Sequence, residues 1–134
     1  MPAPAAAKEQ FLHHIFEELQ PLLASYCPPL KALTGMVKNK RDYKLITPKA
    51  VTIQGRDYPN LCFANLIEQK GYVGFYFMPI YCEPALKKSL APELLEVLKG
   101  KSCFHVKSLT PEMKEHIKAA LRLGFAAYKK SAWL

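Results

Sequence analysis

The chain contains no Cys-x-x-Cys pair, no two histidines four residues apart, no Gly-x-Ser-x-Gly elbow, no glycine-rich phosphate loop and no dinucleotide fingerprint. Those gaps exclude a ready-made zinc site of the common spacings, a hydrolase nucleophile turn, and nucleotide binding of the P-loop or Rossmann kind. Acids are few and scattered, 11 against 19 lysines and arginines, so spacing singles out no acid/base pair. The longest apolar run, residues 72–81, is interrupted by Gly74 and Pro79 and falls far short of the ~20 residues a membrane helix needs. Residues 1–8 lack the basic start and apolar core of a secretory signal, so none is expected. Cysteine is sparse too. Cys27, Cys62, Cys82 and Cys103 are widely spaced and three of them sit in apolar runs. That fits free thiols in a reducing compartment better than a disulfide framework, and a cytoplasmic location is expected.

What is present is a globular composition. Of the 134 residues, 50% are hydrophobic, 11% aromatic and 22% charged. This suits one domain that buries a core without the help of a metal or a disulfide. The net charge of +8 favours anionic partners in general, although a lysine-rich solvated face is the simpler explanation.

Residues 1–29 read as an N-terminal helix and a proline-rich turn. Leu12, Ile15, Phe16, Leu19, Leu22 and Leu23 follow helical spacing; Pro21 is expected to bend or break the helix, and Cys27-Pro28-Pro29 to end it. Residues 33–79 read as an antiparallel meander. Its strands are expected at 33–37, 43–47, 50–53, 60–67 and 72–78, with turns at 38–41, 54–57 and 68–71. Alternation sets Leu61, Phe63 and Ile67 on one face and Cys62, Ala64 and Leu66 on the other; likewise Val73, Phe75 and Phe77 oppose Tyr72, Tyr76 and Met78. Both faces are then largely apolar, so helices, a dimer partner or a ligand pocket should cover the second. Residues 84–98 read as a helical insert, 101–107 as a strand and 110–130 as a final helix. In that helix Thr110 is the expected N-cap, Met113, Ile117, Leu121 and Tyr128 mark the buried face, and Ala120 and Gly124 allow close approach.

Three chemistries can be written from the residues. Cys103 and His105 alternate so as to share a strand face, and His13-His14 are adjacent on the first helix, but a packed thiol and a hydrogen-bonded imidazole are the simpler reading of each. Cys103 with His105 or His116 would make a thiolate pair only if the fold brought them together. Residues 38–44, Lys-Asn-Lys-Arg-Asp-Tyr-Lys, mix basic groups with an aromatic ring, a combination that serves stacking and phosphate contact. The stretch is short and sits on an expected turn, so a solvated turn is favoured over nucleic-acid binding.

The stretches Gly71-Tyr-Val-Gly-Phe-Tyr-Phe-Met-Pro79 and Lys99-Gly-Lys-Ser-Cys-Phe-His-Val106 resemble the YdhG-like family of small bacterial domains, which includes a frataxin-like iron chaperone. The likeness covers residues 48–130: hairpin, glycine turn, Gly-Phe-Tyr strand, helical insert, lysine-containing strand and final helix. It implies an α+β sandwich in which a curved antiparallel sheet of about five to six strands has the N- and C-terminal helices packed against it. In that family the strand after the insert carries a lysine followed by glycine and a small polar residue. Here the match is Lys101, with Ser102 in the glycine's place and Cys103 and His105 beyond. Frataxin-type iron binding uses clustered surface carboxylates. This chain offers no acidic ridge, and His13, His14, Glu17 and Glu18 are the best iron ligands it has.

Together these readings give a single cytosolic domain that binds or carries a small anionic ligand, with recognition rather than catalysis as its chemistry and no cofactor. The expected site is Lys101 for the anion, Ser102, Cys103 and His105 for orientation, and Tyr76 as an aromatic wall. An iron carrier, a homodimer joined through the second sheet face and a nucleic-acid-binding module are the alternatives.

Overall fold

The computed structural model describes the backbone of residues 4–37 and 40–134, and the side chains of these from Leu12 onward, Val37 excepted. Of the expected turn at 38–41, residues 38 and 39 lie outside the described residues; Lys40 and Arg41 already belong to a strand.

Helix α1 (Pro4–Ala24) buries Leu12, Ile15, Phe16, Leu19 and Leu23, the stripe that the 3.6-residue period requires. Pro21 does not end it. This residue is exposed and close to the C-terminal end, so it forfeits one hydrogen bond while the helix runs on to Ala24. Strands β1 (Lys31–Val37), β2 (Lys40–Ile46), β3 (Val51–Ile53), β4 (Arg56–Tyr58), β5 (Cys62–Gln69) and β6 (Tyr72–Phe77) follow. The rest of the chain is a short helix α2 (Met78–Cys82), a 3-10 helix (Pro84–Ser89), one helical turn α3 (Pro92–Leu95), strands β7 (Leu98–Lys99) and β8 (Cys103–Val106), and helix α4 (Pro111–Lys130). The fold is α+β, as expected. Six strands form an antiparallel sheet in the order β1-β2-β5-β6-β8-β7. No helix among the described residues is long and apolar enough to cross a membrane.

The meander is interrupted. β2 pairs with β5, and β3 and β4 leave the sheet as a separate two-stranded hairpin. Its turn is Gln54-Gly55, with φ of 50° and 79°, the left-handed pair that lets a two-residue loop follow the twist of its strands. The insert at 84–98 is less helical than expected, and the strand expected at 72–78 ends at Phe77, with Met78–Cys82 forming α2. Pro79 accepts this readily at the first turn of a helix.

The pairings also correct the facing of β5. The β2–β5 register shifts between Leu45 and Ile46, giving β5 an extra residue at Phe63. Phe63 and Ala64 are therefore both fully buried. Beyond the shift, Leu66 and Glu68 face the helices together with Phe75 and Val73 of β6, while Asn65 and Ile67 face away with Tyr76 and Gly74. The outward face is thus mixed: Asp42, Lys44, Asn65, Ile67, Tyr72, Tyr76, Cys103 and His105 lie on it, in place of the apolar layer expected.

The core fills the space between the sheet and the two long helices. Phe63, Phe75, Phe77 and Phe104 from the strands meet Ile15 and Leu19 of α1 and Ile117, Leu121 and Tyr128 of α4, all of them essentially buried. Thr110 caps α4, accepting a hydrogen bond from the Met113 N–H at 3.1 Å. The closest approach is at Gly124, where an added Cβ would lie 2.5 Å from Phe77 Cζ and 2.7 Å from Pro79 Cγ. Neither neighbour can withdraw, because both are buried. Gly124→Ala should therefore cost about 1–3 kcal/mol, lowering Tm by roughly 5–10 °C in a thermal melt, and a Phe77→Leu background should shrink the loss. An unchanged Tm would mean that α4 does not seat on Phe77 in solution.

Candidate functional site

The hairpin β3–β4 is fixed to the rest of the fold by Val51, which is buried in the core, and by Thr47 at its base. Thr47 is fully buried: its N–H donates to the Leu61 carbonyl at 2.8 Å, and its hydroxyl accepts from the Leu61 N–H at 2.9 Å. Its carbonyl also accepts from Asn60 Nδ2 at 2.8 Å. With its base fixed in this way, the hairpin stands opposite α2 and the 3-10 helix, and a cleft of about 600 Å³ opens between them. Leu61 and Ile80, both buried, form its floor with the half-buried Met78. Ile53, Gln54, Arg56 and Tyr58 make the hairpin wall; Tyr81, Cys82, Pro84 and Lys87 make the other, and Lys101 reaches in from the turn before β8.

The electrostatics of this cleft have one sign. Arg56, Lys87 and Lys101 line it and no carboxylate does; among the described residues none of the three cations is in an ion pair. Each wall joins a cation to an aromatic ring. The Arg56 guanidinium lies 5.8 Å from the centre of the Tyr58 ring and the Lys101 ammonium 5.9 Å from that of Tyr81. Tyr81 is 54% exposed, one of few large apolar side chains left open to solvent among the described residues. Cations around an apolar floor with exposed rings suit a small organic anion: charge at the rim, hydrophobic body below.

The five residues expected to form the site are divided by the fold. Lys101 is at the cleft. Ser102 follows it, with its carbonyl accepting the Phe77 N–H at 2.8 Å. Tyr76, Cys103 and His105 lie on the outward face of the sheet, where Tyr76 pairs with Cys103 and His105 with Gly74. There the His105 imidazole stacks on Tyr72 at 3.8 Å between centres, with an interplanar angle of 9°. Partial burial lowers its pKa below the ordinary histidine value, and Lys99 and Lys107 reinforce the effect. Alternation holds Cys103 and His105 on one face of β8, but Lys101 lies in the turn before the strand and does not share that alternation, which is why proximity in sequence does not become proximity in space.

The four alternative iron ligands do not gather at one point. His13 Nδ1 lies 2.7 Å from Glu68 Oε1, Glu17 is 3.7 Å from Arg41, and Glu18 accepts from Lys114 at 2.7 Å with His14 at 3.5 Å. Lys114 holds the Glu18 carboxyl below its usual pKa. Among the described residues no three His, Cys, Asp or Glu side chains gather where a metal ion could sit. In the basic segment 38–44, the one ring that could stack on a base, Tyr43, is 5% exposed and faces the core beside Leu45.

No protein-family model, curated protein or solved structure matches the chain. What the cleft can hold is therefore read from its lining. No histidine lines it, and its thiol, Cys82, is raised in pKa by burial against a weaker opposing hydrogen bond from Tyr128. Burial raises Cys27 and Cys103 in the same way and pushes Cys62 up to about 11. At neutral pH these thiols are protonated and poorly nucleophilic. Iodoacetamide at pH 7.5 should label native Cys62 at least about tenfold more slowly than the same residue in urea, as peptide mass mapping over time would show. A rapidly labelled thiol in the native protein would identify a reactive cysteine and contradict this reading.

Proposed function

We propose that this chain is a binding protein for a small organic anion, held in the cleft between the β3–β4 hairpin and α2. The observation behind the reading is the convergence of Arg56, Lys87 and Lys101 around an apolar floor without a neutralising carboxylate. Two of these cations lie against tyrosines at the cleft. The lining favours recognition over bond-making, since it offers no base to activate Cys82 and no paired acids.

The magnitudes set the scale of the test. A charge pair at about 4 Å is worth ~1 kcal/mol in a water-like environment, which is about fivefold in affinity. The probe is 8-anilinonaphthalene-1-sulfonate, an anion with an apolar body whose fluorescence rises on burial. Lys101→Ala and Arg56→Ala should each weaken its binding about fivefold at low ionic strength, with Tm within a degree or two of the parent. Salt at ~1 M should erase most of the difference. Equal affinity in both variants would overturn the proposal, as would equally tight binding of the uncharged analogue N-phenyl-1-naphthylamine.

A further inference from the structure

The six-stranded sheet ends on two unlike edges. On one side β7 is two residues long and ends in Lys99. On the other, β1 is seven residues long, with one charge, Lys31, at its start and neither a proline nor a register shift along it. The outer backbone groups of an edge strand have no ladder partner, and long edges are normally blunted by charge, proline, a bulge or a covering element. Along residues 32–36 β1 has no such device. All five are exposed, and Leu33 at 52% and Met36 at 63% are two of the three large hydrophobic side chains exposed among the described residues. The register assigns them to opposite faces: Met36 pairs with Arg41 on the helix side, Leu33 with Lys44 on the outward side. Apolar side chains therefore flank the open backbone from above and below.

We propose that β1 pairs with β1 of a second copy of this chain, antiparallel about a twofold axis through Thr34. The strand's own sequence is what selects a second copy as the occupant. A twofold axis perpendicular to the sheet keeps each residue on its face, so it passes through a residue position. Thr34 is the midpoint of Lys31–Val37, and only that centre pairs the whole strand. In this register Leu33 meets Gly35 of the second copy on one face, and Met36 meets Ala32 of the second copy on the other. Each large side chain is set against a small one, and Lys31 falls opposite Val37, so no two cations oppose one another. Moving the centre by one residue shortens the overlap and destroys this match. Pairing about Thr34 joins the two sheets into one continuous sheet with all long helices on the same side. No residue of β1 lines the cleft, so this contact and anion binding are independent.

The test is sedimentation velocity of the untagged full chain over the micromolar range, together with disulfide trapping. Wild type should show a concentration-dependent dimer, and L33K/M36K, two exposed changes whose folding circular dichroism can verify, should weaken it at least about tenfold. Thr34 lies opposite its own copy, with Cα atoms about 4.5–5.5 Å apart, inside the disulfide range, so T34C should form an intermolecular disulfide under mild oxidation. Leu33 lies opposite Gly35 and not opposite itself, so L33C should not. A wild-type chain that sediments as a monomer throughout would overturn the proposal. So would a dimer indifferent to L33K/M36K, or L33C cross-linking as readily as T34C.

Discussion

The contact on which the rest of this molecule depends is the seat of α4 on the end of β6. Gly124 leaves no room for even a methyl group above Phe77 and Pro79. With the helix axis held this close, Tyr128 reaches across to donate its hydroxyl to the Cys62 carbonyl at 2.6 Å, satisfying a backbone acceptor at the start of β5. The same Phe77 donates its N–H to Ser102, fixing the turn that presents Lys101. One residue later the chain becomes α2, which sends Ile80 into the core and leaves Tyr81 and Cys82 at the cleft. The packing of two apolar rings under a glycine thus sets the position of one wall and one cation of the candidate site.

Charge is distributed with a comparable division of labour. Glu68, 5% exposed, is held by Arg41 through Nε at 2.8 Å and Nη2 at 2.6 Å, and the guanidinium lies 4.4 Å from the centre of the Phe16 ring. A carboxylate at this depth is tolerable only because it is paired. The arrangement clamps α1 to β2 and β5. Glu17 joins the same border against Arg41, and Glu18 ties α1 to Lys114 of α4. Acids are scarce in this chain, and several of those it has are committed to holding helices in place. The cations around the cleft are left without them, and the excess of +8 is felt there.

The elements that sequence revealed are those governed by local periodicity and by special backbone shapes. The stripe from Leu12 to Leu23, the Thr110 cap, the close-packing Gly124 and the turn around Gly55 were all legible, because each depends on neighbours within a few residues. The failures have a common physical origin in contacts between distant segments. A single extra residue in β5, unmarked in the sequence, reverses the facing of Ile67 relative to Phe63. The strand expected at 72–78 overran by one residue, because nothing local marks the point where β6 gives way to α2. Lys101 was named through the family resemblance of residues 99–106, and the fold sets it beside the cleft. Arg56 and Lys87 were not named, since nothing local shows that a hairpin tip and a 3-10 helix will face the same space. Tyr43 looked available among basic residues, but it shares its face with Leu45 and is buried for that reason.

The Thr47 clasp has a consequence for how such a protein can change. The base of the hairpin is held by the hydrogen bonds that Thr47 makes with Asn60 and Leu61 and by Val51 in the core, with Ile53 and Tyr58 packed against it, while the tip residues Gln54 and Gly55 are exposed. Sequence drift, or even lengthening, at the tip leaves the sheet and its core untouched. The opposite wall has no such freedom, since it begins at the residues pressed beneath α4. A lineage carrying this fold can therefore retune what it recognises by rewriting the tip of one hairpin, while the other half of the site is inherited unaltered with the scaffold.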